Sequence, residues 1–285
     1  MGETILTAMK AMKALGDEGL IFGSENRRKG EAEFQLSLGK KLEEMTGSDR
    51  WSWRYGGRNE EKFETVALAN EKTIKVDIVG RHPEEGMVAI ELKYVPTSPH
   101  RGGVPANPPA FPYDLAKDCL RLDLLRANQC KPLGELIPDD LRTYVIGLTD
   151  WSDYWQDSRQ KRGWATNFYH AIRSKPEPHF EGVIRTLRSD SENTIALGRC
   201  HIAFGRRWTG EWIGYGSSEH TERFRFLFLR PGSHALPEWT RQQLDPDLQS
   251  TIYPFLNSYS REGWQSRNAP KRRREQDQVR RNAIE

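Results

Sequence analysis

Apolar residues recur at every second position in two neighbouring stretches. Ile74, Val76 and Ile78 share one face of the first, and Val88, Ile90 and Leu92 share one face of the second, which predicts two β-strands. His82-Pro83-Glu84-Glu85-Gly86 between them has the composition of a turn. Pairing Val79 with Ala89 closes that hairpin, and the same register sets Asp77 opposite Glu91 with Lys93 one step further along. Upstream, Phe34, Leu38, Leu42 and Met45 follow helical spacing. Downstream, Tyr113 to Asn128 reads as a helix with Leu115, Cys119 and Leu122 inside, and Thr143 to Leu148 as a strand. Tyr94 to Pro112 carries six prolines and reads as a long connection at the mouth of any site near Lys93, where His100 and Arg101 could meet substrate.

The C-terminal third is patterned as short strands at Thr194 to Leu197, His201 to Phe204, Glu211 to Tyr215 and Arg223 to Leu229. In the last of these Phe224, Phe226 and Phe228 face one way, while Arg223, Arg225, Leu227 and Leu229 face the other, as in a strand added to a sheet. Arg206, Arg207 and Trp208 are placed in a hairpin turn, Pro231-Gly232 at a strand end, and Leu244 to Tyr259 in a further helix. The expected class is α/β (α+β), a central mixed sheet flanked by helices with a β-rich C-terminal extension.

Two carboxylates about 5 Å apart across a ladder repel unless a cation lies between them. Asp77 and Glu91 therefore read as ligands of Mg²⁺ (or Mn²⁺), which accepts one or two carboxylates together with water and substrate phosphate oxygens. The Leu92 carbonyl is a further candidate ligand, and the Lys93 ammonium could orient the attacking water. The competing reading is a half-exposed hairpin whose polar residues are wetted by solvent. On the upstream helix Glu31 projects within the Phe34, Leu38, Leu42 stripe, while Glu33 projects away with Lys40 and Glu44. An inward carboxylate needs a partner; otherwise Glu31 merely complements the dipole at a helix start.

Asp77 followed after thirteen residues by Glu91-Leu92-Lys93 resembles the signature of the PD-(D/E)XK nuclease superfamily, whose pattern also includes an upstream helical glutamate, here within Gly30-Glu31-Ala32-Glu33-Phe34-Gln35. Thr149-Asp150-Trp151-Ser152-Asp153-Tyr154-Trp155 after a short strand is similar to what standalone prokaryotic members carry, so the resemblance runs from about Glu31 to Trp155. Val76 stands where the superfamily's name has proline.

The resemblance implies a restriction-endonuclease-like core over about 24–175 within a single domain, 1–262, a β-rich extension over about 176–262 and a basic tail at 263–285. It implies a Mg²⁺-dependent hydrolase of phosphodiester bonds in nucleic acid, with DNA favoured over RNA, leaving 5′-phosphate and 3′-hydroxyl ends. Glu31, Asp77, Glu91 and Lys93 are then the catalytic group, with Asp77, Glu91 and Leu92 at the metal. Gln35, Lys117 and Arg121 are further candidates for substrate contact, although Asp114 and Asp118 could equally pair with the last two on a solvated face. A catalytically silent nucleic-acid-binding or assembly module of the same fold is the alternative, as is a nuclease switched by a signal or a homodimer contact in the extension.

Composition narrows this further. The net charge is +3, and residues 271 to 285 contribute six basic and three acidic side chains, so the rest of the chain is balanced. That tail reads as solvated rather than as a phosphate grip. Cys119, Cys130 and Cys200 have neither disulfide nor zinc spacing. No apolar run suits a membrane span or a signal peptide, so a cytoplasmic protein without membrane contact is expected. Trp151, Tyr154, Trp155, Trp164, Phe168 and Tyr169 could stack on unpaired bases but are read as core.

Overall fold

The computed structural model describes residues 3–22, 27–47, 50–56, 60–65, 73–98, 102–105, 107–126, 130–132, 141–156, 165–173, 176–185, 201–204, 206–235 and 252–253. Its centre is a seven-stranded mixed sheet covered on both faces, together with four α-helices in an α+β arrangement. The helices are α1 (Glu3–Asp17), α2 (Arg27–Thr46), α3 (Ala110–Arg126) and α4 (Thr166–Arg173). The large sheet runs β1 (Ser52–Tyr55), β4 (Ile78–His82), β5 (Gly86–Val95), β7 (Arg142–Thr149), β12 (Arg225–Ala235), β11 (Arg206–Gly214), β8 (His179–Phe180). Two three-stranded sheets flank it. One holds β3 (Thr73–Val76), β2 (Glu61–Thr65) and β6 (Cys130–Pro132), the other β13 (Ile252–Tyr253), β10 (His201–Ala203) and β9 (Val183–Ile184).

The hairpin register is as expected, with Val79 opposite Ala89 and Ile78 opposite Ile90. β5 pairs in parallel with β7 across α3, and β12 adds antiparallel to β7. One face of the sheet carries Val79, Met87, Ala89, Leu227 and Leu229 against α3. The opposite face carries Ile78, Val88, Ile90, Leu92, Phe224, Phe226 and Phe228 against α1 and α2. α1 joins this layer through Ala8, Ala11, Met12 and Leu15, an i, i+3, i+4, i+7 stripe.

Several expectations are corrected. Ile74 and Val76 do not share a face with Ile78: they lie in the α3-side core and Ile78 lies in the α2-side core. The reason is a break at Asp77, where β3 leaves to pair with β2 and the chain re-enters the large sheet as β4. Because helices cover both faces, the hairpin has no wet side. Met45 ends the α2 stripe exposed at 42%. α3 begins at Ala110, taking Phe111 and Pro112 into its first turn, where a proline lacks nothing the helix needs.

Arg206, Arg207 and Trp208 are not in a turn but in β11, and β12 continues through Pro231 and Gly232 with a register shift between Arg206 and Trp208. Ile252–Tyr253 is a strand pairing with β10 rather than helix. Thr194 to Leu197, His100, Arg101, Trp164, Cys200, the rest of 244–259 and the tail lie outside the described residues. Cys119 is a fully buried free thiol.

Two features fix α3 on the sheet. Gly147 of β7 leaves room for the helix, since a Cβ there would sit 2.7 Å from the Phe111 ring and 3.0 Å from Leu115. On the same helix the buried Asp123 accepts from Trp208 Nε1 at 3.0 Å and lies 3.0 Å from Arg206 Nε. Burial pushes the Asp123 carboxyl up to about 7, outweighing the Trp208 hydrogen bond and the Arg206 charge. A carboxyl raised in the folded state contributes stability below its unfolded value that is lost as pH rises through about 7. Asp123→Asn should therefore flatten the fall in melting temperature between about pH 4 and pH 7, as read by thermal denaturation at several pH values. An unchanged slope would show that the carboxyl is not raised in the folded protein.

Candidate functional site

Residues from α2, the β3–β4 break, β5 and α3 converge on the α3 side of the hairpin. Side chains alternate along β5, so Glu91 and Lys93 lie on the face of Ala89 and Val95, towards α3. Asp77 reaches the same place from the break. It is not part of the β4–β5 ladder, which ends at the Ile78–Ile90 pair, so it does not face Glu91 as a strand partner. Instead its Oδ2 accepts the Leu92 N–H at 2.7 Å, a main-chain donor that the departing strand leaves without a backbone acceptor. The Glu91 side chain acts on the Asp77 carboxyl directly, so the two acids come together although the ladder that would have paired them ends one residue short.

α2 supplies two residues one turn apart. Glu31 is 29% exposed and its Oε1 lies 3.5 Å from Lys93 Nζ. α2 starts at Arg27, so Glu31 lies beyond the first turn and the helix-dipole explanation loses its basis. Glu33 is exposed, as its phase on the helix required. Gln35 is 5% exposed, and its amide donates to the Asp77 backbone carbonyl and to Glu60. That amide fixes the main chain at the break rather than facing outward to substrate.

α3 supplies a residue that the spacing allowed on a solvated face. Asp118 is instead 1% exposed, and its Oδ2 lies 3.0 Å from Lys93 Nζ. Arg121 pairs with its other oxygen at 3.3 Å, and its charge reaches Glu91. Lys117 sits half-buried one turn before Arg121. The signal was in the sequence: Leu115, Asp118, Leu122 and Leu125 follow i, i+3, i+7, i+10 spacing, which puts Asp118 in the apolar stripe.

The electrostatics follow from burial. Glu91 is held well above the usual carboxylate range by desolvation first, then by the charges of Asp77 and Asp118. Asp77 is raised as well, chiefly by burial, with Lys93 and the Leu92 N–H opposing. Burial alone would lower Lys93, but Asp118, Glu31, Asp77 and Glu91 together outweigh it and keep the ammonium charged well above its ordinary range. Lys93 also donates to the Leu92 carbonyl at 3.0 Å.

The residues fit a hard divalent cation. Oε1 of Glu91 is buried and has no hydrogen-bond partner among the described residues, a costly state for a carboxylate oxygen. The donors at hand are all oxygens. Four carboxylates surround one ammonium and one guanidinium, which leaves the cluster short of positive charge. Among the described residues no three His, Cys, Asp or Glu side chains form a ready cage, and Mg²⁺ does not require one because water and substrate complete its shell.

Compared with known proteins, the chain matches no family model, no curated protein and no solved structure.

Other features stand apart from it. A cavity of about 500 Å³ opens beside β11, lined by Trp155, Arg173, Glu177, Trp212 and Arg230, and none of the clustered residues borders it. Tyr154, Phe168 and Tyr169 are buried in the core, with Trp151 and Trp155 packed against it. Among the described residues no helix is long and apolar enough to cross a membrane.

Proposed function

We propose that this protein is a divalent-metal-dependent nuclease of the PD-(D/E)XK type, with a restriction-endonuclease-like core, that hydrolyses phosphodiester bonds of nucleic acid, DNA in preference to RNA. The observation that carries this reading is the buried meeting of Asp77, Glu91 and Lys93, with Glu91 Oε1 left without a partner in a cluster short of positive charge. A wetted hairpin would produce none of these features.

In this reading Asp77 and Glu91 hold Mg²⁺ or Mn²⁺, and the second lone pair of the Leu92 carbonyl, whose first accepts from Lys93, is available as a further ligand. Such an ion polarises the scissile phosphate and lowers the pKa of a bound water. The protein's own groups supply the rest. The Leu92 N–H and the Gln35 amide fix Asp77 from two sides, one through its carboxylate and one through its carbonyl. Lys93 places a positive charge beside the two carboxylates, where negative charge accumulates as a phosphodiester is attacked. Glu31 steers that ammonium from α2.

The test is incubation of purified protein with supercoiled plasmid, single-stranded DNA and RNA, each in Mg²⁺, Mn²⁺ or EDTA. Cleavage is expected with either ion and none in EDTA. Asp77→Ala should lower the rate by about 10²–10³-fold, the usual cost of removing a preorganised electrostatic contact, while circular dichroism shows a folded protein. Wild-type protein that binds nucleic acid without cutting it would favour the silent binding module, and activity surviving Asp77→Ala would place the chemistry elsewhere.

A further inference from the structure

Asp118 has no part in the roles above, yet it is nearer to Lys93 than Glu31 is. Its Oδ2 lies 3.0 Å from Lys93 Nζ, against 3.5 Å for Glu31 Oε1. The side chain is 2% exposed, and Arg121, one turn along α3, holds its other oxygen at 3.3 Å. A group so buried and held from both sides has little freedom to move. Lys93 differs, being a compact charge on a flexible four-carbon stem that settles beside the strongest available anion. Two further carboxyls act on its charge, Asp77 and Glu91, and these are the groups that the proposed function needs for the metal.

We propose that Asp118 is a positioning residue: it holds the Lys93 ammonium on the α3 side, off the Asp77–Glu91 pair, so that a divalent cation and the lysine can occupy the site together. The inference rests on the metal-site reading given above. Without the Asp118 charge, the ammonium moves onto Asp77 and Glu91 and competes with the ion for them. The residue thus acts on metal binding through Lys93 and not by touching the metal or the substrate.

The experiment is a double-variant cycle read by Mn²⁺ binding, using calorimetry or electron paramagnetic resonance of the full chain without nucleic acid. Asp118→Asn keeps the shape and removes the charge, and should weaken Mn²⁺ binding about tenfold, a change worth about 1.4 kcal/mol. In a Lys93→Met background the same substitution should change binding less than about twofold, because no ammonium remains to compete. Asp118→Glu, which restores the charge, should recover most of the affinity. Should Asp118→Asn fail to fold, Asp118→Ser takes its place in the cycle.

Equal weakening in both backgrounds would overturn the proposal, since Asp118 would then act by its own charge or by general structure. Wild-type affinity in Asp118→Asn would overturn it too while leaving the nuclease reading intact. Wild-type protein that binds no Mn²⁺ would remove both.

Discussion

Lys93→Met is expected to abolish metal-dependent cleavage and to destabilise the fold at the same time. The rate should fall by about 10²–10³-fold, because a fixed positive charge beside the reacting phosphate is lost. Stability should fall by about 3–5 kcal/mol, the usual cost of removing one partner from a buried ion pair. Here Asp118 is 2% exposed and loses its nearest cation, while Asp77 and Glu91 lose the charge that offsets their repulsion. The pH dependence has a definite sign. Lys93 is raised in the folded protein, so its contribution is complete below its unfolded value and undiminished between pH 5 and 9. In the variant the exposed repulsion grows as the carboxylates ionise, so the deficit should be larger at pH 8 than at pH 5. Denaturant unfolding at both pH values, with single-turnover cleavage in Mg²⁺, checks the two effects together. A variant that cuts within threefold of wild type would remove Lys93 from the site.

Glu91→Gln should show the opposite pairing, a gain in stability with a loss of cleavage. Desolvation and the Asp77 charge make ionised Glu91 unfavourable in the folded protein without metal. A carboxyl raised in this way contributes stability that is complete below its unfolded value and lost as pH rises through the folded one. The neutral amide escapes that loss and can still donate to Asp77. In EDTA at pH 8 the variant should be more stable by about 1–3 kcal/mol, the range for a buried polar group left unsatisfied, and the gap should narrow towards pH 4. Cleavage in Mg²⁺ should be absent, because an amide is a poor ligand for a hard cation. A variant less stable than wild type at pH 8 would mean that Glu91 is compensated in the apo protein and that the orphaned oxygen carries no information.

Such paired effects are what a site selected for chemistry rather than for stability would produce. Asp123, on the same helix as Asp118, is a useful contrast. Its neighbours Trp208 and Arg206 fasten α3 to β11, and among the described residues no other carboxylate shares that pairing. Burial raises carboxyls in both regions, but the acids that gather around one buried ammonium are those at Lys93.

Local pattern was enough for much of the framework. Period-two alternation placed β5 and β12, a short apolar run of strand formers placed β7, and the turn composition at 82–86 set the Val79–Ala89 register, because a slip of one residue would turn every side chain to the other face. Helical phase separated Glu31 from Glu33 for the same reason of fixed geometry. What pattern could not decide was where strands part company. The break at Asp77 depends on β3 finding β2, a long-range pairing with no local signature, and it put Ile78 on the face opposite to Val76. Asp118 stands in the apolar stripe of α3, a signal that its charged neighbours masked. Its neighbours Asp114, Lys117 and Arg121 made a charged face plausible, and only the packing of α3 over Gly147 brings Asp118 against Lys93. The sequence by itself pointed to Asp77, Glu91 and Lys93, since their spacing along the chain and the phase of β5 are local. The tertiary structure alone decided that they would meet out of water with a fourth acid from another helix, because burial is a property of what comes to lie on top.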